Sequence, residues 1–234
     1  MISYRVRPCG FRHGLRTASI PLLACFLACQ QPTWEQYMDA AVFAYQDERF
    51  DEAEAAFTAA ERIARDFDDS DARLAITLGN LADLHHTQGR DTQAEPLYLE
   101  ALSRLERSDG GNSRRVARLM ADAAIFYAAR DRPEDAEPLY HRALEILEWE
   151  LGSRHIDVLA VRTALAGLYW QNKRYADADP LYREVLTVLQ ETPATDEDQL
   201  LTVLDEYTRL LRATDRSAEA MPLQARAQAI RAQR

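Results

Sequence analysis

The sequence predicts an all-α solenoid of about five antiparallel helix pairs, and three observations carry that expectation. A phrase returns every 42 residues: Ala94-Glu95-Pro96-Leu97-Tyr98, Ala136-Glu137-Pro138-Leu139-Tyr140, Ala178-Asp179-Pro180-Leu181-Tyr182, and a worn copy, Ala220-Met221-Pro222-Leu223. Self-similarity at such a period marks a chain of stacked supersecondary units. Composition agrees, because Ala, Leu, Glu, Arg and Gln dominate while glycine and β-branched residues are sparse. Third, apolar residues recur at helical spacing in two stretches per repeat.

Taken in order, residues 30–33 are a short tether, and repeats follow at about 34–71, 72–112, 113–154, 155–196 and 197–234. The first repeat has one helix from about Trp34 to Gln46, facing inward with Tyr37, Ala40, Ala41, Ala44 and Tyr45. Its second, from about Asp51 to Arg65, uses Ala53, Ala56, Phe57, Ala60 and Ile63. In the second repeat Asp68 to Asp71 precede the helix of Leu74, Thr77, Leu78, Leu81, Ala82 and Leu84, where acids favour a helix N-terminus. Gly89 suits the left-handed closure of that helix, and Ala94, Leu97, Tyr98, Ala101, Leu102 and Leu105 form the next, up to the break at Ser108 to Asn112. The third repeat uses Val116, Leu119, Met120, Ala123, Ala124 and Tyr127, then Ala136 to Leu147, and stops at Gly152. The fourth uses Val158 to Tyr169, then Ala178 to Leu189, and stops at Pro193. The fifth has Leu200, Leu201, Leu204, Tyr207, Leu210 and Leu211, then Ala218, Leu223, Ala227 and Ile230.

Ala82, Ala124 and Ala166 on the first helices, and Ala94, Ala136 and Ala178 on the second, allow two helices to approach closely. Tyr98, Tyr140 and Tyr182 fill the volume beyond. Pro96, Pro138 and Pro180 fall within the first two turns of their helices, where a missing N–H costs least.

The formal charge is −10, but residues 1–29 carry four of the 28 basic groups and no acid, leaving 24 against 38, or −14, in the rest. So acidic a body repels phosphate backbones, which argues against a nucleic-acid partner. All three cysteines, Cys9, Cys25 and Cys29, lie in the first 29 residues, so the repeats hold no thiolate chemistry. His85, His86, His141 and His155 form no zinc spacing, and neither a phosphate loop nor a Gly-x-Ser-x-Gly elbow occurs. The expectation is a non-enzymatic chain with no cofactor and no metal.

Residues 1–29 read as a secretory segment: Arg5, Arg7, Arg12 and Arg16, then an apolar run from Ala18 to Ala28 too short to span a bilayer comfortably. Leu27-Ala28-Cys29 resembles a bacterial lipoprotein signal, with Cys29 as the lipidated residue and Cys25 as the alternative. That resemblance implies a lipid-anchored protein on the periplasmic side of the envelope, and Gln30 leans toward outer-membrane sorting. The competing reading is a cytoplasmic chain with a mis-assigned start.

The repeat phrase and the small-residue spacing over residues 34–232 resemble the tetratricopeptide repeat family, and more closely its 42-residue, kinesin-light-chain-like subclass. The resemblance implies a right-handed superhelix whose first helices line a concave face that holds a peptide or helix of a partner protein. Candidate partner-binding residues on that face are Tyr45, Gln46, Asn80, Asp83, His86, Asp122, Trp170, Gln171, Arg209 and Arg212. Asn80 stands where the subclass places a peptide-clamping asparagine, and its equivalents here are Asp122, Ala164 and Glu206. An alternative is a structural subunit packed permanently against one large partner.

Overall fold

The computed structural model describes residues 32–192 and 197–233, in which the chain is all-α. Ten helices are present among the described residues: α1 Trp34–Gln46, α2 Phe50–Ala64, α3 Arg73–Thr87, α4 Asp91–Asp109, α5 Arg114–Ala129, α6 Pro133–Leu151, α7 Ile156–Gln171, α8 Tyr175–Glu191, α9 Glu197–Ala213 and α10 Ser217–Ala232. They form five antiparallel pairs, odd helix then even helix. The chain divides between Arg104 and Leu105 into two compact units.

In the first unit Thr33 caps α1: its hydroxyl accepts from the Gln36 N–H and the Gln36 side chain accepts from the Thr33 N–H. This reciprocal pairing satisfies two of the donors a helix start leaves orphaned. Met38, Ala41, Ala44, Ala53, Phe57, Ala60, Leu81 and Leu84 form the core shared by α1, α2 and α3. Trp34 donates its indole N–H to the buried Thr77 hydroxyl at 2.9 Å, fastening α1 to α3. Asp71 does accept from the Arg73 N–H, 2.8 Å away, but it lies one residue outside the N-cap, which is Ala72. Ala41 and Ala44 are buried and Tyr37 and Tyr45 half-buried as expected, but Ala40 is exposed and Met38 is buried instead.

The second unit repeats the scheme. Ala124, Ala136, Ala166 and Ala178 are wholly inaccessible, as are Ala82 and Ala94 in the first unit, and Tyr98, Tyr140 and Tyr182 are all buried. On α10 the expected inward residue Ala218 is exposed, and Ala220 is buried instead. The phrase register, in which Ala220 follows Ala178, determines the face there. Pro96, Pro138, Pro180 and Pro222 each occupy the sixth position of an unbroken helix and all are exposed. The carbonyls four residues back, which lose their intrahelical donor, therefore lie toward water.

All five pairs turn by one device. Glu48, Gly89, Asp131, Lys173 and Asp215 have φ between 56° and 71°. The next residue is an arginine each time, and its N–H donates to the carbonyl five residues back: Arg49 to Ala44, Arg90 to His85, Arg132 to Tyr127, Arg174 to Tyr169 and Arg216 to Leu211, at 2.7–3.1 Å. This closes the odd helix through a left-handed residue. Four of the five carry a Cβ in that strained region. Lys173→Gly is therefore expected to raise stability by about 0.5–1 kcal/mol. Gly89→Ala should lower it by about 1 kcal/mol, although a Cβ at Gly89 would meet nothing within 4 Å, so the cost is of the backbone alone. Urea unfolding of both variants checks the pair of signs.

Candidate functional site

In the first unit the residues singled out for a partner are mostly engaged by the fold. The Tyr45 hydroxyl shares a hydrogen bond with the Thr87 hydroxyl at 2.8 Å, and its ring meets Phe50 edge-on. The Asn80 amide donates to the Ile76 carbonyl one turn back, at 2.7 Å, and so lies along its own helix. Asp83 accepts from the buried Tyr98 hydroxyl, and His86 Nδ1 is 2.9 Å from Asp91 on α4. Gln46 is exposed.

In the second unit α7 packs against both α5 and α9. Helical spacing places Asp122 with Ile125 on α5, Ala164 with Gly167 on α7, and Glu206 with Arg209 on α9. These are equivalent positions in the repeat and form three adjacent rungs. The middle rung is nearly bare: a Cβ at Gly167 would lie 3.8 Å from the Tyr182 hydroxyl. Ile125 is 48% exposed. Burial pushes the Asp122 carboxyl up, against the pull of Arg118. Burial also raises Glu206, opposed by the hydrogen bond from Tyr182 and by Arg209.

One turn beyond Gly167, Trp170 is half-buried and its ring packs on Tyr175 of α8, 5.2 Å between centroids. Gln171, Arg209 and Arg212 are exposed, and Arg212 donates to Gln224 on α10. By repeat register Asp122 on α5 and Arg209 on α9 thus flank the α7 surface in the second unit. Ile125 and Gly167 share these rungs and were not among the sequence candidates, and Glu206 entered there only as an equivalent of Asn80. Aligning the repeats and reading down one column, rather than along one helix, would have found them.

A second feature recurs between successive repeats. An acid beside the small residue of an even helix accepts from the turn arginine of the following repeat: Glu54, in the first repeat, from Arg90 at 2.6 Å in the first unit, and the phrase acids Glu137 from Arg174 at 2.6 Å and Asp179 from Arg216 at 2.5 Å in the second. Arg132 and Arg174 also lie over the rings of Tyr127 and Tyr169, 4.6 and 4.2 Å from the centroids. The Tyr169 hydroxyl donates to Glu137 at 2.8 Å, and burial followed by that bond pushes its ionisation up to about 12. Both members of each staple were present in the sequence at 36- or 37-residue separation.

These staples have a pH signature. The Glu54 carboxyl is held below its ordinary 4.5, first by the Arg90 hydrogen bond. Burial would raise Glu137, yet Arg174 and Tyr169 together bring it below 4.5. A carboxyl lowered in the folded chain contributes stability above its unfolded value and loses it as pH falls through the folded value. Urea unfolding between pH 6 and 3 should show stability falling from about pH 4.5 downward, and Glu137→Gln should flatten part of that fall.

Among the described residues no three His, Cys, Asp or Glu side chains gather where they could hold a metal ion. None of the described helices is long and apolar enough to cross a membrane. Cys25 and Cys29 lie outside the described residues.

Among curated proteins none matches the chain. Among solved structures, BtubC (BKLC) from P. vanneervenii is 24% identical, with a TM-score of 0.77 over 85% of this chain and 79% of that one. A putative kinesin light chain with nearly identical TPR-like repeats from Podosopora anserina is 20% identical, with a TM-score of 0.72 over 85% and 95%. The Rap conjugation gene regulator of the plasmid pLS20, solved in complex with the Phr* peptide, is 14% identical, with a TM-score of 0.62 over 83% of this chain and 52% of that one. At these identities the likeness is one of fold alone. The sequence profile of the tetratricopeptide repeat matches residues 37–107, 73–148, 115–191 and 157–233, and the chain belongs to that family.

Proposed function

We propose that this chain is an adaptor of the kinesin-light-chain-like kind that holds a peptide or short helix of another protein across the odd helices of its second unit. The observation that carries the reading is the bare rung at Ala164 and Gly167 between Asp122 with Ile125 and Glu206 with Arg209. There a ligand backbone can approach α7 closely while longer side chains flank it. The Rap regulator, which shares the fold, was solved with a peptide bound, and this supports a peptide ligand here.

Peptides selected from a displayed library on the intact chain test the reading. Gly167→Leu fills the bare rung, where a Cβ already meets the Tyr182 hydroxyl at 3.8 Å, and is expected to abolish binding of the selected peptides, with urea unfolding reading what it costs the fold. Binding that survives Gly167→Leu and Arg209→Glu together would overturn it. A second reading, permanent packing against one large partner, is favoured by Trp149 on α6, which is 83% exposed. Exposed tryptophans are frequent interface anchors. Loss of binding on Trp149→Ala alone would select that reading.

The cellular place of the adaptor rests on residues 1–29. A lipid anchor at Cys29, with Cys25 as the alternative, would put the repeats in a bacterial envelope. Intact mass and membrane fractionation in a Gram-negative host, with Cys29→Ala and Cys25→Ala beside the parent, decide it. An acylated, membrane-held species lost in one variant supports the anchor. An unprocessed chain in the soluble fraction supports the cytoplasmic adaptor.

A further inference from the structure

We infer that the joint between the first two repeats is proton-sensitive, because protonation of His85 loosens the Arg90–Glu54 staple that holds α3 and its turn against α2. The inference goes beyond peptide binding and stands on a substitution visible in repeat register. In the third and fourth repeats the position is Tyr127 or Tyr169, and the turn arginine lies over the ring at 4.6 or 4.2 Å. A tyrosine ring stays neutral there and attracts the cation through its π face. The second repeat places His85 at this position, followed by Arg90, so the ring can itself become a cation.

The surroundings make that charge costly. His85 is 9% exposed, and its Nδ1 is buried without a hydrogen-bond partner, as is Arg90 Nε. A proton added at Nδ1 creates a donor with no acceptor in reach and a second positive charge near the guanidinium. Arg90 spends two of its nitrogens on the two oxygens of Glu54, at 3.0 and 2.6 Å. Glu54 on α2 is the acid that acts on the imidazole, and Asp51, also on α2, acts on Arg90. On α3 itself His86 pairs with Asp91 of α4 and Asp83 with Tyr98. At the end of α1 Tyr45, bonded to Thr87, brings no charge. Burial, and then Arg90, hold the His85 value below its ordinary 6.5.

The direction of the effect follows. Between the lowered folded value and 6.5 the unfolded chain binds the extra proton, so stability from neutral His85 is complete above pH 6.5 and is lost as pH falls toward the folded value. The cost is up to about tenfold in the local folding equilibrium per pH unit for one such group.

The test is an NMR titration of the intact chain from pH 7.5 to 5. It follows the His85 imidazole and the exchange protection of the Arg90 amide, which donates to the His85 carbonyl at 2.8 Å. His85→Tyr, the residue of the third and fourth repeats, and His85→Gln are compared after correction for intrinsic exchange rates. The expected result is His85 titrating below the ordinary 6.5, with Arg90 protection falling in the parent and staying level in both variants. Should His85→Tyr fail to fold, His85→Gln carries the comparison. Titration of His85 at or above 6.5, or an equal fall in protection in the variants, would overturn the inference.

Discussion

Tyr182→Ala is expected to cost about 3–5 kcal/mol, the range for deleting a large buried aromatic ring. Tyr182 is wholly inaccessible and stacks on Tyr207 of α9 with ring centroids 5.9 Å apart, so its loss empties the contact between the fourth and fifth repeats. A small residue cannot refill that space, because Ala166 and Ala178 are wholly buried in their own contacts. In a repeat array stability is close to a sum of repeat and interface terms. Thermal or urea unfolding should therefore separate into an early transition of the last repeats and a later one of the remainder. A single unshifted transition would contradict the assignment.

Tyr182→Phe isolates the hydroxyl. That hydroxyl donates to Glu206 at 3.2 Å, and removing it leaves a half-buried carboxylate without its donor, a loss of about 1–2 kcal/mol. Burial already raises Glu206 above its ordinary 4.5. For a raised carboxyl the stabilising proton is present below the unfolded value and its benefit is lost as pH rises through the folded value. The deficit of Tyr182→Phe should accordingly be larger at pH 7 than at pH 4.5, and Glu206→Ala in the same chain should remove that pH dependence.

The second large effect concerns Arg162, the buried arginine of α7. In the repeat register it stands with Leu78, Met120 and Leu204, all buried. Its guanidinium reaches Glu148 on α6 at 2.5 Å and the Ser153 carbonyl at 3.3 Å, and its Nε lies 3.8 Å from Glu184 on α8. Arg162→Ala should cost about 2–4 kcal/mol, since it leaves a cavity and strips the packing of the aliphatic stem. Arg162→Met should lie within about 1 kcal/mol of the parent or above it, because ion pairs to exposed carboxylates contribute little and methionine keeps the volume. The Glu148 and Glu184 side chains are 39% and 61% exposed, so water takes over when the guanidinium goes. If methionine costs as much as alanine, the ion pairs rather than the volume hold α6, α7 and α8 together.

By itself the sequence determined the helices and their pairing. These depend on local physics: apolar spacing within one helix, and the left-handed Gly89 that closes α3, while the same closure at Glu48, Asp131, Lys173 and Asp215 came only with the structure. The exposed prolines at the sixth helical position were equally legible, because their cost is local too. Only the tertiary structure decided what the polar side chains do, since their partners come from other helices. Asp83, offered to a ligand by its place on α3, is taken by Tyr98. Trp170 spends a face on Tyr175. Glu54 and the phrase acids Glu137 and Asp179, which read as solvent-facing charge, are the acceptors that staple one repeat to the next. A hydrogen bond between residues 37 apart leaves no mark on helical periodicity, so which carboxylates and rings remain for a partner is settled by packing.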